Sequence, residues 1–379
     1  STGNMMKKAV LTVISDVSTD QRVLKQAELL RENGFDVTVI GRKIHGISDL
    51  PTSRTGQILL KISFDKGPLM YAVFNLRLFF SLLGRKADLY VANDLDTLLP
   101  SFLVSKLFRR PLVYDSHEYF TGQHGLAERR FSFYVWKRLE GFLLTRIRWM
   151  ITVSKSIADL YEREYGVNPV VVRNASPSAA NISPRNRIEA GAKDGDLLVV
   201  FQGSGINPGR GAEELIEAMA LTEGVRLLVI GSGDVYDEVI RLAAEKGVAE
   251  KVKFMFRMPW EEMMAYTQSC DAGLSLDKDT CINQRYSLPN KVFDYISAGI
   301  PVIVSPLREV SALVTEFRCG IILSEVTPVE IAAKLMLLKN DASLLASLKK
   351  KSVAAATELT WEKEKIAEQD LFRRVIFET

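Results

Sequence analysis

The feature that most restricts this chain is a rhythm of short apolar runs alternating with helical stretches, which breaks once and then starts again. Residues 9–14 form a β-branched apolar run. Residues 20–32 then carry Val23, Leu24, Ala27 and Leu30 on one helical side. Gly34 stops that helix, and 35–40 reads as the next strand. Further strands are expected at 89–92, 112–114, 150–153 and 170–172. Continuous apolar strands separated by helices predict a parallel sheet covered on both faces.

The rhythm fails over 174–196, which holds Pro177, Pro184, Gly191, Gly195 and several Ser and Asn, and this composition reads as a linker. It resumes with strands at 197–201, 225–230, 252–256, 272–276, 301–304 and 321–323. The expected fold is α/β, with two Rossmann-like, doubly wound parallel-sheet domains facing a cleft. The boundary is placed near Ser183, giving 1–183 and 184–360, with a final helix over about 361–379 packing back on the first domain. Ligands of open α/β sheets bind beyond the carboxyl ends of the strands, so the chemistry belongs in strand-to-helix loops.

The charge is unevenly spread. The net value is +3, but through Ala190 there are 27 Lys and Arg against 18 Asp and Glu, and after it 22 against 28. A basic first half suits an anionic partner, and a chance distribution over solvated faces explains it equally well. Cys270, Cys281 and Cys319 have no zinc spacing and read as reduced structural thiols. With three His in the chain, a His-rich metal site is not expected. Neither an apolar leader nor a membrane-spanning run stands out, so a cytoplasmic location is expected.

Two motifs carry the chemistry. Residues 201–211, Phe-Gln-Gly-Ser-Gly-Ile-Asn-Pro-Gly-Arg-Gly, follow a strand and open a helix. Gly203, Ser204 and Gly205 let a ligand approach the backbone, and Arg210 adds a permanent cation at the helix mouth. A turn with a surface arginine is the bland alternative; the arrangement favours diphosphate binding. The second motif is 287–303, Ser-Leu-Pro-Asn-Lys-Val-Phe-Asp-Tyr-Ile-Ser-Ala-Gly-Ile-Pro-Val-Ile. Pro289 suits a helix start, and Asn290, Lys291 and Asp294 share one helical side. Asp294 could hold ribose hydroxyls; a plain surface pair of Lys291 and Asp294 is the alternative, worth under ~1 kcal/mol.

Together these motifs resemble those of the family 4 retaining glycosyltransferases, of the fold known as GT-B. The resemblance also takes in Val-Ala-Asn-Asp-Leu-Asp-Thr-Leu-Leu-Pro at 91–100, Tyr-Asp-Ser-His-Glu-Tyr at 114–119, and a final helix containing Trp361. It implies a metal-independent hexosyltransferase. The donor would be a UDP- or GDP-linked sugar and the acceptor a saccharide or lipid-linked hydroxyl, as in cell-surface polysaccharide or glycolipid synthesis. No cofactor beyond the sugar nucleotide is expected, and no metal.

The donor residues implied are Gly203, Ser204, Gly205, Arg210, Gly231, Arg257, Pro289, Asn290, Lys291 and Asp294. Arg210 and Lys291 would stabilise the leaving diphosphate, and His117 would sit near the reacting carbon. The acceptor side would use Asp16, Arg22, Asn93, Asp94, His117 and Glu118. Ser18 with Gln21 fits a capping box at the first helix, and capping by Asp94 is as good a reading as acceptor contact.

The departures from the family pattern are Tyr286 where relatives carry the first of two glutamates, Ser204 where many carry Arg, and Arg210 for the usual Lys. The 15–22 turn also lacks the family's glycine pair. They keep two alternatives in view, a sugar-nucleotide epimerase of the same shape and a catalytically reduced sugar-nucleotide-binding protein. A nicotinamide dehydrogenase is disfavoured, since neither half has Gly-x-Gly-x-x-Gly after its first strand.

Residues 102–110 and 134–148 mix apolar side chains with Lys106, Arg109, Arg110, Lys137, Arg138, Arg146 and Arg148. They read as amphipathic core helices or as a surface that lies on anionic lipid, which would make the protein peripheral on the inner face of a membrane. Nucleic acid is not an expected partner, because no recognition motif accompanies the charge.

Overall fold

The structure, a computed structural model, describes residues 6–15, 17, 20–43, 56–64, 66–123, 126 and 128–378. The chain forms two compact units, Ser1–Arg173 with Lys365–Thr379, and Asn174–Glu364. The change of unit at Arg173 precedes the expected boundary at Ser183.

The first unit holds strands β1 (Lys7–Thr12), β2 (Phe35–Arg42), β3 (Gly56–Leu60), β4 (Leu89–Asn93), β5 (Leu112–Ser116), β6 (Trp149–Thr152) and β7 (Val170–Val171). Between them run helices α1 (Gln21–Glu32), α2 (Pro68–Leu83), α3 (Leu95–Phe108), α4 (Arg130–Leu144) and α5 (Lys155–Tyr165). All seven strands are parallel, in the order β3-β2-β1-β4-β5-β6-β7. Strand β3 was not expected. It sits at the sheet edge, exposed at Gly56 and half-buried from there on, and so lacks the solid apolar run that marks β4 and β5.

The second unit holds β8 (Leu197–Gly203), β9 (Val225–Gly231), β10 (Val252–Phe256), β11 (Ala272–Ser275), β12 (Val302–Val304) and β13 (Gly320–Ile322). Its helices are α6 (Ala212–Met219), α7 (Tyr236–Glu245), α8 (Trp260–Thr267), α9 (Ile282–Arg285), α10 (Asn290–Ser297), α11 (Arg308–Phe317), α12 (Pro328–Asn340) and α13 (Ala342–Glu358). The parallel sheet runs β10-β9-β8-β11-β12-β13. Alternate residues of β8 feed opposite faces: Val199 and Phe201 join the core under α6, α7 and α12, while Leu198 and Val200 join the core under α10, α11 and α13.

The 174–196 stretch is not a free linker. Ala175, Ala190 and Ala192 are buried in the second unit's core. Arg187 pairs with Asp271 at 2.8 Å. Helix α14 (Trp361–Phe377) follows, and from Lys365 it belongs to the first unit. There Glu368 accepts from Gln26 at 2.7 Å, and Lys365 pairs with Glu32 at 3.3 Å.

Candidate functional site

In the second unit the sheet order turns around between β8 and β11, where an open α/β sheet leaves a crevice. One ion pair spans that point. Arg210, in the loop after β8, donates from Nη1 to Asp277 Oδ2 at 2.5 Å, just beyond the end of β11. Asp277 is buried, whereas the Arg210 side chain keeps 32% of its surface. Among the described residues the other guanidinium nitrogens of Arg210 meet no acceptor.

Lys291 completes the group. Its Nζ lies 4.7 Å from the centre of the Phe201 ring and beside Gly203, where an added Cβ would be 3.7 Å from it. Burial pushes the Lys291 pKa down, Asp277 partly offsets this, and Arg210 pushes it down further. Among the described residues its ammonium has no hydrogen-bond acceptor. The site therefore gathers two cations around one carboxylate.

Two helices open here with different charge. Helix α6 is entered through Gly211, at φ +78, where a Cβ would come within 2.5 Å of the Leu276 carbonyl oxygen. Its first turn carries Glu213 and Glu214, and Lys278 pairs with Glu214. Helix α10 is entered through Pro289 with no side-chain cap and no acid in its first turn. Its free N–H groups and dipole are thus left for an anion.

The remaining donor-side residues divide. Ser204 is exposed and Gly205 half-buried in the same turn. Gly231 faces Gly203 across the β8–β9 ladder, and a Cβ there would sit 1.9 Å from the Gly203 oxygen, so this glycine permits two loops to touch. Arg257 is exposed beyond β10, its guanidinium 5.9 Å from the Phe256 ring centre. Asn290 is exposed and Lys291 half-buried.

Asp294 corrects its expected role. It is buried and accepts from Ser176 Oγ at 2.6 Å, Trp260 Nε1 at 2.9 Å and Gln202 Nε2 at 3.2 Å. Both oxygens hold protein groups, so Asp294 clamps α10 to the 174–196 segment instead of presenting itself to a ribose.

In the first unit the sheet turns around between β1 and β4. Arg22 is buried there. It donates to both oxygens of Asp115, at 2.9 and 2.8 Å, and to the Val172 carbonyl at 2.9 Å. Ligand contact by Arg22 is thereby corrected, since its guanidinium is sealed inside the fold. Asp20 caps α1 by accepting from Val23 N at 3.2 Å. Asp16 and Ser18 lie outside the described residues.

Asp94 stands at φ 62, ψ 164, a conformation that glycine almost alone adopts freely, and makes no side-chain cap for α3. Its Oδ1 accepts from the His117 backbone N–H at 2.9 Å, and its Oδ2 lies 3.4 Å from His117 Nδ1. His117 Nε2 lies 2.8 Å from Asn93 Oδ1 and 3.6 Å from Asp115 Oδ2. Burial would lower the His117 pKa, but Asp94 and Asp115 outweigh it and push the imidazole up to about 10. Burial raises Asp94 despite the imidazolium. The Glu118 side chain accepts from Gln123. Both ring nitrogens of His117 thus face partners in its own unit, and the carboxylates beside it favour its charged form.

Sequence reasoning missed Asp277, Trp260, Asp115, Gln26 and Glu368. Asp115 and Asp277 carried one usable signal: an acid at the carboxyl end of a buried strand, beside a motif arginine in the neighbouring loop. Glu368 is 253 positions from Asp115 in sequence and carried none. Among the described residues, no group of three or more His, Cys, Asp or Glu is placed to hold a metal ion, and no helix is long and apolar enough to cross a membrane.

Residues 183–354 match the family model "Glycosyl transferases group 1", and residues 20–175 match "Glycosyltransferase Family 4". A search of the curated proteins finds no match. Among solved structures, a sucrose-phosphate synthase from Thermosynechococcus elongatus is similar at 16% identity with a TM-score of 0.80, over 98% of this chain and 100% of that one. A glycosyltransferase from Rickettsia africae is similar at 11% identity with a TM-score of 0.76, over 99% and 100%. Anabaena Alr3699/HepE, in complex with UDP and glucose, is similar at 17% identity with a TM-score of 0.73, over 98% and 99%. The architecture is the GT-B fold.

Proposed function

The chain belongs to the glycosyltransferases of group 1 and family 4, and on that footing we propose that it moves a sugar from a nucleoside diphosphate sugar to a hydroxyl acceptor with retained anomeric configuration. UDP is the first nucleotide to test, because similar HepE is a complex with UDP and glucose. The observation that carries the reading is the pair of cations, Arg210 and Lys291, gathered round Asp277 at the turning point of the second sheet.

The bond that breaks joins the anomeric carbon to the diphosphate, so negative charge collects on the departing oxygen. Preorganised cations and helix N–H groups at that place lower the barrier without having to reorganise. Arg210, held on one side by Asp277, offers its other edge to two phosphate oxygens. Lys291, desolvated and without a hydrogen-bond acceptor among the described residues, gains a partner when the diphosphate arrives. These side chains supply the positive charge, and turnover is therefore proposed to be metal-independent and unchanged by a chelator. His117 acts by fixing Asp94, and the first unit holds the acceptor.

Arg210→Ala and Lys291→Ala should each lower turnover about 10²–10³-fold, the cost of removing one preorganised donor. Each should also weaken the thermal shift given by UDP. Full turnover in both variants would refute the proposed charge stabilisation.

A membrane-surface role has its own support. Leu76, Phe80, Leu107 and Phe131 are exposed on α2, α3 and α4 of the first unit, and Lys106, Arg109, Arg138 and Arg146 lie on or just beyond α3 and α4. Arg146 covers Phe142, its guanidinium 4.1 Å from the ring centre. Lys137 is not part of this surface, because Glu140, Glu164 and Tyr119 enclose it. We propose that this face rests on anionic lipid. The protein should sediment with anionic vesicles, stay in solution with neutral ones, and lose sedimentation on Leu76→Ser with Phe80→Ser. Equal sedimentation with both vesicle types would break the electrostatic part.

A further inference from the structure

Asp277 carries the wrong charge for a site that takes a diphosphate, and it is buried there, with 1% of its surface left. A buried carboxylate is costly unless its neighbours offset it. Asp277 uses one oxygen only. Its Oδ2 accepts from Arg210, and its Oδ1 is buried with no hydrogen-bond partner among the described residues. Asp115 and Asp294, which lock elements together, fill both oxygens. A carboxylate left half-unsatisfied beside two cations is placed for its charge.

Backbone contacts on both sides fix its position. Gly209 and Gly211 flank Arg210, and each touches a neighbour of Asp277. The Gly209 carbonyl accepts from the Lys278 N–H at 2.9 Å. Gly211 lies so close to Leu276 that a Cβ would come within 2.5 Å of the Leu276 carbonyl oxygen. The loop after β8 and the end of β11 are thus stitched together around the Arg210–Asp277 pair.

Lys291 is the member of this group able to change its charge. A guanidinium keeps its proton throughout the working pH range, whereas a lysine ammonium sheds its proton readily when desolvated. Arg210, from the loop after β8, favours that loss, and Asp277, beyond β11, opposes it. On the flanking elements Glu213 and Glu214 open α6, with Glu214 paired to Lys278, and Asp279 pairs with Arg285 at 2.9 Å. Asp294, on the same helix as Lys291, is taken by Ser176, Trp260 and Gln202. Asp277 is therefore the carboxylate that offsets the repulsion between the two cations.

We propose that Asp277 is a positioning residue for the transfer, whose buried charge holds Arg210 in place and balances Lys291, so that both cations stand ready at the diphosphate subsite. This rests on the donor reading above and names the residue that readies that site. Without Asp277 the repulsion falls on Lys291, which becomes a neutral amine and no longer stabilises the departing oxygen.

The test reads Lys291 itself. Trace acylation of the full chain with acetic anhydride modifies amines and not ammonium groups. Mass spectrometry of the Lys291 peptide across pH then gives the midpoint of its deprotonation. Asp277→Asn should lower that midpoint by about one pH unit or more, and Arg210→Gln should raise it. A variant that merely loosened the site would let water reach Lys291 and raise the midpoint in both cases, so opposite directions separate charge balance from structure. Asp277→Ser repeats the measurement with a side chain that fits the same space. The UDP thermal shift of Asp277→Asn should fade at a pH about one unit lower than in the unaltered chain. A midpoint unchanged or raised in both Asp277 variants, or lowered by Arg210→Gln, would overturn the proposal whatever UDP does. A lowered midpoint with no UDP shift in any protein would keep the role of Asp277 towards Lys291 and refute the donor reading instead.

Discussion

Arg22 and Arg210 hold matching positions in the two units, each just after the first strand of its sheet and each paired with a carboxylate at the end of a nearby strand. They end up doing different jobs. The Arg22 side chain is 6% exposed and donates to both carboxylate oxygens of Asp115, one of which Gln26 shares. Arg210 is 32% exposed, touches Asp277 through one nitrogen, and has Lys291 beside it. One pair is closed and holds a fold together. The other carries surplus positive charge and an open edge. The comparison teaches that a motif arginine at a strand end is not by itself a ligand site; what decides is how many of its donors the protein has already used.

The largest expected effect breaks the closed pair. Arg22→Ala leaves Asp115 charged and buried, with Gln26 and His117 as its remaining neighbours. Loss of one partner of a buried pair costs about 3–5 kcal/mol. Urea unfolding should show that loss, and a change below 1 kcal/mol would mean that water reaches Asp115. The open pair should behave in the opposite way. Arg210→Ala and Lys291→Ala should cut turnover as stated above while barely lowering stability, because a half-exposed charge is screened. If both open-pair variants unfold more readily than Arg22→Ala, the distinction between the units fails.

Asp294 sharpens the contrast inside the second unit. Asp294→Ala strands three donors, from Ser176, Trp260 and Gln202, and an unsatisfied buried group costs about 1–3 kcal/mol. Asp294→Ala should therefore lower stability first. A drop in UDP affinity at unchanged stability would restore the ribose role that its motif position suggests.

How far the sequence reveals this follows from chain distance. The buried strands and both switch-point loops are legible because they are contiguous, and an apolar run of five or six residues announces itself. Arg210 and Lys291 are legible as cations beside a glycine loop and a helix start. Their meeting at Asp277 is not, because it depends on which strand lies next to β8, and β11 is separated from it by two strands in sequence. The misreading of Arg22 and Asp294 has the same origin. Asp115 and Trp260 take up their hydrogen-bonding capacity from positions 93 and 34 residues away. Edge strand β3 escaped because half-buried residues give no clean pattern.

The smallest effect concerns His117 and its pH dependence. Its folded pKa, about 10, stands above the usual 6.5, so the folded first unit holds a proton that the unfolded chain releases. That contribution to stability is complete below pH 6.5 and is lost as pH rises towards 10. Asp94, raised by burial, has the same sign at lower pH, since the folded state again binds the extra proton. Asp115 has the opposite sign and favours folding once pH exceeds the ordinary carboxylate range. His117→Gln removes the imidazolium and keeps an amide within reach of Asn93. Compared by urea unfolding between pH 6.5 and 9, the unaltered chain should lose stability with rising pH and the variant should lose less. Parallel curves would mean that His117 is neutral in the folded unit, and that the strained backbone of Asp94 is held by the His117 N–H alone.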